Sequence, residues 1–432
     1  MRVWLRIGLL SFGGPAAQIA MLHKEVVETR GWVGEQRFLL GLSFCTLLPG
    51  PEAMQLATYL GWLLHGVAGG IAAGLLFVLP GAAVLMGLSL LFATLGQVPQ
   101  VAGLFYGLKC AVLALVAQAV WRIGRRALRT PVAWMVALAA FAALFVFALP
   151  YPLLVLAAGA LGAAWPAGFF RDSHPEQDGA KPGLTGAAPA AGLPGLSGKA
   201  GSARRAGAAA LALCLVPVVA LQLTHAGVFA DIAWFFSKMA VVTLGGAYAV
   251  LAYVAQDAVR IYHWLSPTEM LAGLGLAETT PGPLILVLEF VGFLAGYRAP
   301  GPLAPVWGGI VAALLTLWVT FLPCFAFVFL GAPSVAALAE NRLLAGALAS
   351  VTAAVVGVIA NLGLWFGLHV AFAIVRPAGS FIVHTNLPDL SSLDPMALLL
   401  ACGAALGLFR LRWPVPLVLA LSALAGALHS LL

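Results

Sequence analysis

Leu48-Pro49-Gly50-Pro51-Glu52 lies between two apolar stretches, and the chain repeats it as Thr280-Pro281-Gly282-Pro283-Leu284. Neither copy sits in a polar loop. A Pro-Gly-Pro removes two backbone donors and puts a flexible residue between two stiff ones, so the helix before it stops. A new helix can start with Pro51 or Pro283 in its first turn. Inside a bilayer such irregular backbone survives only where protein or a water-filled cavity satisfies it. Two such breaks in matching positions point to the substrate site of a transporter.

The bilayer itself follows from composition. The 432 residues are 62% hydrophobic and 9% charged, with a mean hydropathy of +1.03, far from the roughly 25% charged residues of a soluble domain. The expected fold is an all-α polytopic membrane protein. The net charge of +7 is no nucleic-acid footprint, because the basic residues cluster at segment ends and in one linker, where orientation signals belong. Arg2 and Arg6 precede an apolar run without a clear small-residue cleavage site, so that run reads as a spanning helix, not a cleaved signal. The five cysteines, all in apolar segments without a CxxC, read as packing residues. The eight histidines lack metal-ligand spacing, and neither a metal nor a cofactor is expected.

Working outward from the first break, 38–48 and 53–64 are each too short to cross about 30 Å of hydrocarbon, and together they read as one broken crossing. The run at 4–21 reads as the first crossing, weakened at Phe12-Gly13-Gly14-Pro15. Residues 67–95 read as a long helix kinked at Pro80-Gly81, with Gly66, Gly70 and Gly74 as a packing ridge. Crossings at 101–121, 131–149, 151–169 and 208–223 follow. Arg122, Arg125, Arg126 and Arg129 form the strongest orientation marker, which places that loop in the cytoplasm.

A shift of 232 residues lays 4–51 on 236–283 without a gap. It pairs Gly13 with Gly245, Gly14 with Gly246, Trp32 with Trp264, Arg6 with Lys238, Glu25 with Asp257, and both Pro-Gly-Pro turns. The expected organisation is a first repeat (1–170), a disordered cytoplasmic linker (171–206), an unpaired crossing (207–230) and a second repeat (231–432). Seven crossings separate the repeat starts, an odd number, so the repeats should be inverted. The total is about thirteen, with the N-terminus inside and the C-terminus outside. Arg298 and Arg376 then fall outside, against the charge rule.

The residues Arg6-Ile7-Gly8, Ser11-Phe12-Gly13-Gly14-Pro15, Trp32, Leu48-Pro49-Gly50-Pro51, Leu79-Pro80-Gly81, Lys238, Leu244-Gly245-Gly246, Trp264, Glu278 and Thr280-Pro281-Gly282-Pro283 resemble the chromate ion transporters in their long, two-domain form. Leu244 departs from the pattern, standing where the first half has Phe12. The resemblance covers almost the whole chain outside 171–206. It implies a bacterial inner-membrane carrier that exports chromate.

The candidate substrate site gathers Pro49, Gly50, Pro51, Pro281, Gly282 and Pro283 with Gly13, Gly14, Gly245 and Gly246. A broken helix exposes free N–H groups and the positive end of its dipole, which suit an anion, and two such ends can hold a tetrahedral dianion. The glycine pairs read equally as packing residues or as close backbone approach to the ion. Arg6 and Lys238 read as guards of the two entrances, with snorkelling as the plain reading of Arg6. Lys109, inside an apolar segment, is either a site residue or half of a buried ion pair. Glu278 is the leading proton-coupling candidate. Glu52 is the second, with satisfaction by the helix dipole as its plain reading, and Glu289 is weaker.

Expected partners are chromate, with sulfate as the alternative, and the lipid bilayer; a homodimer stays open. Sulfate uptake or exchange is the rival transport reading. A membrane enzyme or scaffold is the rival from another class, but the chain shows neither a convergent nucleophile–base set nor metal spacing. A primary pump would need GxxxxGK[ST], which is absent.

Overall fold

The computed structural model describes residues 1–96, 98–169, 196–242, 247–335, 341–379 and 384–431. Among these, the apolar segments form sixteen α-helices. The first half holds α1 (Arg2–Leu10), α2 (Gly14–His23), α3 (Glu35–Leu47), α4 (Glu52–Leu95), α5 (Pro99–Ala127), α6 (Pro131–Phe145) and α7 (Tyr151–Ala164). α8 (Leu196–Leu223) joins it to the second half: α9 (Val228–Val242), α10 (Ala247–Arg260), α11 (Pro267–Thr279), α12 (Val287–Arg298), α13 (Pro305–Gly331), α14 (Arg342–Ala371), α15 (Pro395–Ala405) and α16 (Val415–His429). One antiparallel ribbon, Val375–Gly379 with His384–Pro388, interrupts the helices between α14 and α15.

Helix starts follow local chemistry. Ser266 and Glu269 form a capping box with Pro267 behind it at the start of α11. Thr130, Asn341 and Asp394 cap α6, α14 and α15 through their side chains.

Five helices are long and apolar enough to cross a membrane, and they fall within α4, α5, α8, α13 and α14; four shorter apolar stretches lie at α6, α7, α15 with the turn after it, and α16. The chain is a multi-pass membrane protein. Of the thirteen expected crossings, those read as broken segments do not pass straight through. In a straight run Gly41 and Tyr59 would stand about 27 Å apart. Instead a side chain added at Gly41 would run into the Tyr59 ring, so α3 and the first limb of α4 fold back on each other around Pro49-Gly50-Pro51. The second copy folds back likewise. Gly273 lies against Phe290, and Arg298, ending α12, donates 2.6 Å to the Trp264 carbonyl and pairs at 2.5 Å with Glu269 in the first turn of α11.

The first expected crossing also folds back. α1 and α2 separate at Gly13 and Gly14, both with positive φ (85° and 77°), and Arg6 pairs with Glu25 at 3.7 Å across the bend. Each leg is only nine or ten residues long, too short to span.

α4 reverses a second time, away from the expected kink. Pro80 lies inside regular helix, while His65 and Gly66 (φ 66°) leave helical geometry. Gly61 packs on Gly69 and Ala73, and Thr58 packs on Gly70 and Gly74, so 67–95 runs antiparallel to 52–64. Gly66, expected in the packing ridge, is the reversal itself; Gly69, Gly70 and Gly74 make the close contact. The described residues reach only the end of the expected linker. Residues 170–195 lie outside the described residues, whereas 196–206 already belong to α8.

The halves exchange their terminal helices. α16, from the second half, packs on α5 where Gly103 and Gly107 meet Gly426 and Ser422. α7, from the first half, packs on α14 where Gly162 meets Gly346, and α6 joins it at Gly357. Small residues let these backbones approach closely, the main source of helix association without water.

Candidate functional site

Both Pro-Gly-Pro turns are tips of fold-back hairpins, and each tip reaches into the other half. Gly282 (φ 100°) donates its N–H to the Ser11 carbonyl at 2.8 Å, and Ser11 is the residue that ends α1, two before the Gly13-Gly14 bend. The Gln18 amide nitrogen ties the two turns together, donating to the Gly282 carbonyl at 2.6 Å and to the Ser11 carbonyl at 3.3 Å. The Pro281 carbonyl rests on Gly81 of α4, where a methyl group would overlap it. Gly81 follows Pro80, so the second-half tip sits just beyond the proline of the first half's long helix.

The first-half tip mirrors this. Gly50 (φ 115°) faces the Cys324 sulfur, and Cys324 follows Pro323 on α13, the counterpart of Pro80. Gln55 donates back to the Pro49 carbonyl at 2.7 Å and stands beside the same sulfur. Both glycines need positive φ, which costs a side-chain-bearing residue roughly 1–2 kcal/mol.

The surrounding polar atoms are unusual for membrane depth. Ser11, Gln18, Gln55 and Thr320 are all at most 2% exposed. The Ser11 and Thr320 hydroxyls and both Gln carbonyl oxygens have no hydrogen-bond partner among the described residues. Leaving one such group unsatisfied costs about 1–3 kcal/mol, which singles out this region as the candidate site.

Three carboxyls stand near the tips. Glu52 is the first residue of α4, directly after Pro51. Glu278 is buried in the last turn of α11 before Pro281. Glu289, one turn into α12, is fully buried with neither oxygen hydrogen-bonded among the described residues.

The expected basic residues lie elsewhere. Arg6 is about 10 Å back along α1 from Gly13, with its side chain 63% exposed and paired with Glu25, which also meets Arg30 at 3.4 Å. Lys238 lies within electrostatic reach of Asp257 and near the Phe235 and Tyr253 rings, at 6.0 and 5.9 Å. The two aligned base–acid pairs therefore bridge α1 to the residues after α2 and α9 to α10. Lys109 faces the Tyr106 ring at 4.5 Å, and the Tyr106 hydroxyl donates to Asp394. That cluster fastens α5 to the start of α15. Gly245 and Gly246 lie outside the described residues.

Sequence reasoning passed over Gln18, Gln55, Thr320 and Cys324. The available signal was an uncharged polar side chain in an otherwise apolar helix, which the search for charges left aside. At the polar base of the first hairpins, His23 lies 2.7 Å from Glu35 and 3.2 Å from Glu28. The hydrogen bond to Glu35 raises its imidazole above the usual range.

Comparison with known proteins completes the picture. The family model described as Chromate transporter matches residues 1–163 and 230–427. The chain is 34% identical over 365 residues to a chromate transport protein of Pseudomonas aeruginosa, covering 82% of this chain and 77% of that one. It is 27% identical over 359 residues to a chromate transport protein of Cupriavidus metallidurans (82% and 79% covered). It is also 27% identical over 361 residues to a probable chromate transport protein of Synechococcus elongatus (83% and 81% covered). No solved structure matches the chain. With most of its length matched in two blocks, the chain belongs to the Chromate transporter family and is a transporter, not an enzyme.

Proposed function

We propose that the protein is a secondary carrier that exports chromate across the bacterial inner membrane, coupled to the proton gradient, and thereby confers chromate resistance. The observation that carries the reading is the exchange of tips: Gly282 on Ser11 and Gly81, Gly50 on Cys324. The oxyanion binds where the two tips meet the opposing long helices. Its ligands are backbone N–H groups at the helix starts after Pro51 and Pro283, supplemented by the Ser11 and Thr320 hydroxyls. Helix ends contribute about half a charge each, so they hold a dianion weakly enough to release it. Glu278 couples the ion to protons: protonated it tolerates the anion, ionised it repels it.

The halves act as inverted repeats. Replacing the broken crossings by hairpins removes an even number of passes from the stretch between the repeat starts, which keeps the count odd, as inversion requires. The N-terminus is cytoplasmic with the Arg122–Arg129 loop, and the C-terminus is periplasmic. Arg298 and Arg376, which break the charge rule, are each engaged by a carboxylate, Glu269 and Asp389 at 3.5 Å. Their positions follow from local pairing and carry little orientation signal. Chromate is favoured over sulfate by the names of the relatives.

Chromate flux in inverted membrane vesicles, with and without an imposed proton gradient, tests the reading. Accumulation should rise with the gradient, and Glu278→Gln should flatten its pH profile. No chromate accumulation under either condition would refute export. Accumulation with an unchanged Glu278→Gln profile would remove Glu278 from coupling.

A further inference from the structure

A polar cavity lies between α10, α14 and the bend joining α6 to α7. Its polar lining is Tyr151, Gln256, Arg260 and Asn361, with Trp365 as one wall. The guanidinium of Arg260 sits 5.8 Å from the Trp365 ring, and Arg260 has no carboxylate partner among the described residues. No acidic side chain lines the cavity. Asp257, one turn earlier on α10, lies within reach of Lys238. The Tyr151 hydroxyl is the second, independent sign: the residue is 1% exposed, and its oxygen has no hydrogen-bond partner among the described residues. The ring is locked by stacking on Tyr253 at 5.2 Å, so the hydroxyl cannot turn away to find one.

An arginine, two carboxamides and a buried phenol around one cavity supply donors from several directions with one net positive charge. Arginine's planar fork suits two oxygens of one ligand, and the amide and phenol groups can donate to the others. We infer that this cavity is a second binding site for a small divalent oxyanion, distinct from the tips, with Arg260 as its charged anchor. The site opens beside Arg260, which is exposed, at the end of α10. On the orientation proposed above, that end faces the periplasm, and the site is the station from which an exported ion leaves. The site itself rests on the cavity alone; only its role in release rests on the transport reading.

The test is equilibrium dialysis of radiolabelled sulfate against the purified full chain in lipid nanodiscs, with selenate and chloride as competitors. Arg260→Gln should weaken one class of sulfate site at least tenfold, Arg260→Lys less, and Asn361→Ala and Tyr151→Phe severalfold, all in samples that elute as the native protein does. Selenate should displace the ion far better than chloride. An Arg260→Gln and Asn361→Ala isotherm that superimposes on the native one would overturn the site, and equal displacement by chloride would overturn the oxyanion class. Arg260-dependent sulfate binding in a preparation that moves no chromate would leave the site standing and remove the export reading.

Discussion

The two Pro-Gly-Pro hairpins share a motif and differ in how they are held. The second limbs are alike, α12 and 53–62 of α4 each burying ten residues, but in the second half α11 buries nine consecutive residues, Met270 to Glu278. Its base is closed by the Ser266–Glu269 capping box and by Arg298 reaching Glu269 and the Trp264 carbonyl. In the first half, α3 buries only Phe38, Gly41, Phe44 and Cys45, and its start at Gly34 has no side-chain cap. The 232-residue register puts Arg37 where the second half has Glu269. Trp264 is buried, whereas its counterpart Trp32 is 41% exposed. One hairpin is clasped and the other open at its base. The difference teaches that duplication kept the tip chemistry while the supports diverged, so the first-half hairpin is the freer to move.

The sharpest way to break the comparison is to exchange what each tip rests on. The Pro281 carbonyl occupies the space of a side chain at Gly81, whereas Gly50 faces the Cys324 sulfur. Gly81→Cys must push backbone aside, and chromate flux should fall to background with the protein still in the membrane. Cys324→Gly only removes a side chain, and flux should stay within about threefold, since a buried sulfur is a modest loss. Equal effects of the two changes would show that the tips are not seated as described.

A smaller effect should follow from opening the clasp. Arg298→Ala leaves Glu269 without its cation and removes a donor from the Trp264 carbonyl. With the pair partly exposed, the cost is about 1–2 kcal/mol. Hydrogen exchange should read it as roughly tenfold faster opening around 264–270, with 32–38 unchanged and already faster in the native chain. Native protection at 32–38 equal to that at 264–270 would erase the asymmetry.

Much of this was legible in the sequence. The gapless register located both breaks, and it paired Arg6 with Lys238 and Glu25 with Asp257, two base–acid pairs that the fold brings together. The direction of the chain after each break was not legible. A Pro-Gly-Pro ends a helix in the same way whether the next one continues or returns, and the choice is made by distant packing such as Gly41 on Tyr59 and Gly273 on Phe290. Gly66 was misread because a glycine needed for positive φ and one needed for close packing look alike at four-residue spacing. The seating of each tip on the other half's long helix joins residues more than 190 positions apart, as Pro281 and Gly81 are, and no local pattern carries that.

The smallest expected effect concerns the base of the first hairpins, where only the first half has the His23–Glu35 contact. Because Glu35 raises the His23 imidazole above its ordinary 6.5, the contact stabilises fully below that value and is lost as pH rises through the raised one. An NMR titration should place His23 above the ordinary midpoint, and Glu35→Gln should return it toward 6.5. A His23 midpoint unmoved by Glu35→Gln would remove the contact from the account.

The central claim is that each tip seats in the opposite half, and a cross-link tests it most directly. With Cys45, Cys110, Cys214 and Cys402 replaced, Gln55→Cys leaves a single partner, Cys324, on the far side of a protease site placed near residue 185. Oxidation followed by cleavage should leave the halves joined on a non-reducing gel and separate them on a reducing one. Separate halves under both conditions, from a sample in which a Gly41→Cys/Tyr59→Cys pair does close its hairpin, would contradict the exchange of tips.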